Sequence, residues 1–407
     1  TEGIFGIPLG VSATFIVLFT IFGAVLEASG AGKFFVDFAL GCMGKSRAGP
    51  GRAVTLASFL LGTVSGSGAA TTVTLGAVAW PLLKRSGYDG ESAGGLLAAG
   101  GIGAVLSPPV MGAASFLIAE ILKISYLEVL IMACIPTILY YASILFMVEG
   151  DARHLGLQQV SIGKIDVAAL TKQYWFHFAS LVTIVIFMAF GFTAITAVFY
   201  SVLIAIATSF LNRQSALYPR KLIAALSSGT KQVLGVAATC ACAGIIVGII
   251  NLTGIGLKFS GIIIDIAGGD LYLTLILTAV ILLILGLALP ITASYIIAAV
   301  MTAPALIKLG VPEVAAHMFI FYYAVLSEVS PPTALSPFAA AAITGGGNPA
   351  DVKSIAYRSG DKTAVTAPAE PIADLAQATA ATDAGVAAAG TAAIVTDSAT
   401  RAVREVA

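Results

Sequence analysis

The 407 residues are 58% hydrophobic and 10% charged, with a formal net charge of zero and a mean hydropathy of +0.99. So little polar surface excludes a soluble globular protein of this length and describes a chain solvated mostly by lipid. The balanced charge, with no concentrated basic run, also excludes nucleic acid as a partner.

About 20 apolar residues cross a 30 Å hydrocarbon layer. On that rule a first span is expected over residues 11–26, followed by an amphipathic piece over 34–43. Residues 53–83 are too long for one crossing, since a straight helix of that length would measure about 46 Å. Ser65, Gly66, Ser67 and Gly68 lie at their middle, so the segment is predicted to fold back as a re-entrant hairpin with arms of about 15 to 20 Å. A broken helix is expected over 92–106 and 110–122, with Ser107, Pro108 and Pro109 at the break, and then a crossing over 129–148. A polar connection over 150–172 leads to spans over 174–191 and 194–211. A basic stretch with Arg213, Arg220, Lys221 and Lys231 precedes a span over 233–250. Residues 271–307 form a second overlong segment. It is divided by Pro290, which removes a helical hydrogen bond and clashes with the preceding turn. A second broken helix is expected over 314–327 and 333–343, around Ser330, Pro331 and Pro332. From Gly345 onward the chain is rich in Ala, Thr, Asp and Gly without apolar periodicity, which predicts a disordered or weakly helical tail.

One order therefore occurs twice: an interrupted apolar segment, then Ser-Pro-Pro about forty residues later. Discontinuous helices in matching positions of two repeats mark a secondary transporter with its substrate and ion sites near the bilayer midplane. The expected organisation is a first repeat over 1–149, connecting spans and a basic segment over 150–232, a second repeat over 233–345, and the tail over 346–407. Charge placement supports the crossing count. If the first hairpin enters from the cytoplasm, Lys33, Lys45, Arg47, Arg52, Lys84, Arg85, Arg153, Lys164, Lys172, Arg213, Arg220, Lys221 and Lys231 lie inside, and only Lys123, Lys258 and Lys308 lie outside. That is the bias the positive-inside rule demands. The second hairpin then enters from the outer side, so the repeats are inverted and the fold class is an all-α polytopic membrane protein.

Enzyme chemistry finds no foothold. There is no phosphate-binding Walker loop and no His-Glu-x-x-His pair, and paired acids for general acid–base work are not clustered. His154, His177 and His317 are scattered, and Cys42, Cys134, Cys240 and Cys242 lie in or beside apolar stretches, where cysteine acts as a small hydrophobe. No covalently bound cofactor is expected.

The run SGSGAATTVTLGAVAWP, then GGIGAVLSPPV, and later LGLALPITASYIIAAVMTAPAL with SEVSPPTALSPFAAAAI resembles the large membrane subunit of tripartite ATP-independent periplasmic (TRAP) transporters. More narrowly, it resembles the fused-permease branch that works with TAXI-type solute receptors. The resemblance covers about residues 1–345. It implies a permease of the bacterial or archaeal cytoplasmic membrane that uses a sodium gradient and receives an organic anion from a periplasmic binding protein. It also implies an elevator motion of a mobile domain against a scaffold. Against that family, the small-subunit region and the start of the large subunit are missing before Thr1, and an Ala-rich tail stands where a last apolar span is expected. The chain therefore reads as a piece of a longer polypeptide.

Helix termini inside a bilayer are costly unless they line a wet cavity or bind a ligand. The return arm of each hairpin begins with free N–H groups and the positive end of a helix dipole, suited to a carboxylate. Gly66 and Gly68 let the backbone approach closely, and Ser65, Ser67, Thr71 and Thr72 supply hydroxyls. Pro290, Thr292 and Ser294 are the second-repeat equivalents. These are the predicted substrate-binding residues. Carbonyls freed before Pro108, Pro109, Pro331 and Pro332 can coordinate a hard cation such as sodium, with Ser107, Ser330 and Thr333 as further oxygen ligands. By analogy the ion sites sit where each hairpin tip meets its broken helix, with the anion between the tips. Plainer readings exist: Gly and Ser clusters also serve close helix packing, and a Pro-Pro pair can be only a kink. Duplication of both features in one order favours the transport site. Glu328 is an intramembrane carboxylate and by default functional, as a cation or proton site. Its repeat mate is Val105, and a structural hydrogen bond is the competing reading. Glu27 and Glu120 read as solvated carboxylates near span ends. The competing functions are a receptor-independent sodium/dicarboxylate symporter and a channel.

Overall fold

The computed structural model describes residues 3–42, 46–160 and 165–345. The tail expected from 346 onward lies outside the described residues. The described residues lie in one compact unit. Among the described residues there are helices and turns and no strand. Ile7–Ala28, Tyr126–His154, Pro219–Thr253 and Ile291–Lys308 are long and apolar enough to cross a membrane. Shorter apolar helices include Gly90–Leu106, Phe176–Ala189, Ala194–Ser209, Leu271–Gly286 and Leu335–Thr344.

Tyr126–His154 illustrates how the sequence sets two faces. Ser125 caps its start by accepting a hydrogen bond from the Leu127 N–H at 3.2 Å. Val129, Ala133, Thr137, Tyr141, Ile144 and Val148 recur every three or four residues and are buried. Ile131, Ile135, Ile138 and Phe146 are exposed. An outward apolar stripe of this kind belongs against lipid or another apolar surface.

Both overlong segments are broken helices folded on themselves. The first hairpin has arms Gly49–Ser65 and Gly68–Ser86, and the second has arms Leu271–Gly286 and Ile291–Lys308. The first hairpin's 17- and 19-residue arms are about 26 and 29 Å long, longer than the expected 15 to 20 Å. Helix continues past the apolar stretch, through Pro50 and Arg52 at one end and Lys84 and Arg85 at the other. The first broken helix runs Gly90–Leu106, with Asp89 capping the Ser92 N–H at 2.6 Å, and resumes only at Ala114–Leu122. Its second half starts later than expected because the Gly112 N–H turns back to the Val105 carbonyl at 2.9 Å. The second broken helix runs Glu313–Val325, a 3-10 turn Leu326–Glu328, and Leu335–Thr344. The Pro108–Pro109 and Pro331–Pro332 peptide bonds are both cis. Two further differences from expectation lie around the start of the expected second repeat. The basic segment and the following span form one 35-residue helix, Pro219–Thr253, and a helix over Ile255–Ile266 had not been expected.

The second half of each broken helix packs against helices of the other half of the chain. Leu335–Thr344 lies against Gly68–Ser86 and Gly90–Leu106, while Ala114–Leu122 lies against Ile291–Lys308 and Glu313–Val325. Small residues permit the first contact. A Cβ at Gly76 would lie 2.7 Å from Ile343 Cδ1, and one at Gly94 would lie 3.3 Å from Thr344 Oγ1.

Candidate functional site

At the first tip, Gly66 ends the outgoing arm at φ +60°, where only glycine is unstrained. A Cβ there would also lie 2.9 Å from the Met111 carbonyl oxygen. The tip thus rests on the break that follows its own Ser-Pro-Pro. Further back, Gly62 approaches Ala104 so closely that a Cβ would lie 2.6 Å from the Ala104 Cα. Ser65 and Ser67 are exposed, and Ser65 Oγ accepts from the Ser67 N–H at 3.3 Å.

Ser67 occupies the N-cap of the return arm, yet its side chain makes no capping bond. The third helical residue is Ala70, so no Glu or Gln completes a capping box. Glu328 supplies the missing acceptor from the second broken helix. Its Oε1 accepts from the Ala69 N–H at 3.0 Å and from Ser336 Oγ at 3.1 Å, in a residue only 7% exposed. Gly68 makes room for this carboxylate, since a Cβ there would fall on Glu328 Oε1. One of the N–H groups expected to receive a substrate carboxylate is therefore already engaged.

Residues Val64, Ser65, Ala70 and Thr71 of the same tip form part of the wall of a cleft of about 60 Å³. The cleft lies between the first hairpin, Ile7–Ala28, Ala31–Cys42 and Pro219–Thr253. Its polar lining is Thr20, Glu27, Ser65, Thr71, Thr74 and Gln232. Thr71 is 1% exposed and its Oγ1 has no hydrogen-bond partner, a state buried hydroxyls rarely keep without a ligand or water. Thr72, by contrast, donates to the Gly68 carbonyl at 2.9 Å and serves helix packing.

The two Ser-Pro-Pro breaks differ. Ser107 is buried and its hydroxyl donates to the Gly103 carbonyl at 2.7 Å. The Leu106 carbonyl accepts from Thr137 Oγ1 at 2.8 Å, and the Pro109 carbonyl accepts from the Tyr126 hydroxyl at 3.1 Å. Protein donors thus satisfy much of what the first break releases. At the second break, Thr333 Oγ1 lies 2.7 Å from the Ser327 carbonyl oxygen, 3.0 Å from that of Ser330 and 3.2 Å from that of Gly286. A hydroxyl has one proton to donate, so Thr333 cannot satisfy all three carbonyls at once, and the Ser330 carbonyl also accepts from the Ala334 N–H at 3.1 Å. The Ser327 hydroxyl is also buried without a partner. Ser330 Oγ itself donates to the Leu326 carbonyl at 2.9 Å.

The second tip is more open, with Leu287, Ala288 and Pro290 exposed and Thr292 half-buried. Ser294 is buried and donates to the Leu289 carbonyl at 3.1 Å. Neither Thr292 nor Ser294 lines the cleft beside the first tip. The adjacent residues Ser327 and Glu328 reach both hairpins: Ser327 meets Gly286 of the second, and Glu328 meets Ala69 of the first. Sequence reasoning read Glu27 as merely solvated and did not single out Thr74 or Gln232. The signal it had for the Glu328 cap was the incomplete capping box at Ser67.

Residues 4–366 match the family described as Tripartite ATP-independent periplasmic transporter, DctM component. The chain belongs to this family. Among curated relatives, it is 32% identical over 112 residues to the 2,3-diketo-L-gulonate TRAP transporter large permease protein YiaN of Escherichia coli, covering 28% of this chain and 26% of the relative. It is 34% identical over 94 residues to the C4-dicarboxylate TRAP transporter large permease protein DctM of Pseudomonas aeruginosa, covering 23% and 22%. A Haemophilus influenzae TRAP transporter large permease protein, itself named as putative, is 25% identical over 146 residues, covering 36% of this chain and 34% of the relative. These alignments span between about a fifth and a third of each relative's length. The TRAP assignment read from the hairpin and Ser-Pro-Pro motifs holds at the level of the family, which is one of transport permeases.

Proposed function

We propose that this TRAP permease performs sodium-coupled uptake of a small organic anion, a carboxylate or amino acid such as glutamate or 2-oxoglutarate. The anion is delivered by a periplasmic TAXI-type binding protein, and the permease sits in the bacterial cytoplasmic membrane with a small-subunit region in the same longer chain. Alternating access follows an elevator motion, with the two hairpins re-entering from opposite sides.

The observation that carries the sodium reading is the oxygen cluster around Thr333. Backbone carbonyls and a hydroxyl are the ligands a hard cation prefers, and the cluster lies where the second tip meets its own broken helix. The anion reading draws on the cleft beside the first tip, with its unpartnered Thr71 hydroxyl, and on the relatives' named substrates, which are organic acids.

The test is radiolabelled glutamate and 2-oxoglutarate uptake into proteoliposomes holding the full-length permease, with and without an inward sodium gradient and the cognate receptor. The expected result is saturable uptake that requires both. Uptake with sodium alone would replace this reading with a receptor-independent symporter. Flux indifferent to both, and not saturable, would replace it with a channel.

A further inference from the structure

The return arm of the first hairpin begins between two polar environments. On one side Glu328 caps the Ala69 N–H. On the other, Ala70 and Thr71 form part of the cleft wall, where the buried Thr71 hydroxyl lacks a partner. We infer that Glu328 and an anion held in the cleft share this one helix N-terminus and oppose each other, so that neutralising Glu328 tightens anion binding. The inference rests on the proposed function for the identity of the cleft's ligand as an organic anion.

A helix N-terminus offers roughly half a positive charge, concentrated in its first turn. One carboxylate uses much of that, and a second negative charge at the same terminus meets repulsion that water screens poorly inside a bilayer. Glu328 is held by uncharged donors, the Ala69 N–H and the Ser336 hydroxyl, and the ion pairs of Arg52 with Glu149 and of Lys123 with Glu120 lie at other carboxylates. The hairpin faces Glu328 with Gly68 and Ala69, and its own segment faces it with Ser336. From Tyr126–His154, the titratable Tyr140 lies within its electrostatic reach, with its hydroxyl committed to the Ala99 carbonyl at 2.8 Å. The titratable group lining the cleft is Glu27. The coupling is reciprocal by thermodynamic necessity: whatever removes charge from Glu328 favours the anion, and the anion favours the uncharged Glu328.

The first measurement is 2-oxoglutarate binding by calorimetry to the full-length permease in nanodiscs, in sodium buffer. Glu328→Gln keeps an acceptor oxygen for Ala69 while removing the charge. It is expected to bind about tenfold tighter than wild type, within the usual range of coupling between sites. Equal affinity in wild type and Glu328→Gln would overturn the inference.

Absence of wild-type binding would refute the substrate assignment instead, and a second readout then decides. With the native cysteines replaced, Ser65→Cys places a thiol at the cleft. The ratio of its labelling rates by anionic and cationic methanethiosulfonates should rise about tenfold when Glu328→Gln is added. An unchanged ratio would refute the inference independently of any substrate.

Discussion

The two hairpin tips have the same role in the repeat pattern and different surroundings. The first is enclosed: Gly62 and Gly66 press on the backbone of the first broken helix, and Glu328 caps its return arm from 259 positions away. The second is open at Leu287, Ala288 and Pro290, and its neighbouring oxygens converge on Thr333. The order of breaks is thus the same in both halves of the chain while the chemistry at each differs, one tip set in packing and charge, the other beside a cluster of oxygens.

The sharpest test of that difference is steric. Gly62→Ala drives a Cβ to 2.6 Å from an Ala104 backbone atom, whereas Gly286→Ala meets the Ser327 side chain at 3.0 Å. Thermal unfolding in detergent should show a loss of about 3 kcal/mol for the first and about 1 kcal/mol for the second. Equal losses would erase the distinction between the enclosed and the open tip.

Next in size is the proposed ion site. Thr333→Val removes the hydroxyl around which three carbonyls gather, and should raise the half-saturating sodium concentration in uptake by more than about tenfold. Ser107→Ala, where the hydroxyl is already bonded to Gly103, should change it no more than about threefold. The reverse ranking would move the dominant sodium site to the first repeat.

Hydrogen exchange examines the cap directly. Glu328→Ala should cost about 1 kcal/mol at the start of the first return arm, seen as severalfold faster exchange from Ala69 onward and no change after Pro290. The smallest expected effect concerns the buried pair of Tyr295 Oη and His317 Nδ1, 2.9 Å apart. Tyr295→Phe should lower stability by about 1 kcal/mol or less, leaving sodium dependence intact. A changed sodium dependence would give that pair a part in transport.

Features written locally in the chain were legible. Pro290 announces its break because it lacks an N–H, and the paired Ser-Pro-Pro motifs locate both broken helices without any knowledge of packing. Ile255–Ile266 was missed because its 12 residues are too few to register as a crossing. The late resumption at Ala114 depends on the bond from Gly112 to Val105, which no periodicity encodes. Glu328 could be flagged as an intramembrane acid, but its partner could not be named from the sequence. That partner is an amide in the first half of the chain, and the matching position there, Val105, offered no support for a role. Glu27 looked like a solvated terminus and Gln232 was not singled out for the same reason, since only the packing of separate helices brings them to one cleft.

The exchange of broken-helix halves between repeats has a consequence for how the protein is made. The first hairpin leaves the ribosome early, yet the helix that covers Gly76 and Gly94 is Leu335–Thr344, synthesised more than 200 residues later. Until then the hairpin's glycine-lined face lacks its native neighbour, and the nascent half must wait in the membrane for the other. Cutting the gene between the repeats would therefore not yield two stable halves. Co-expressed, the two pieces should reconstitute only by threading these end segments through each other.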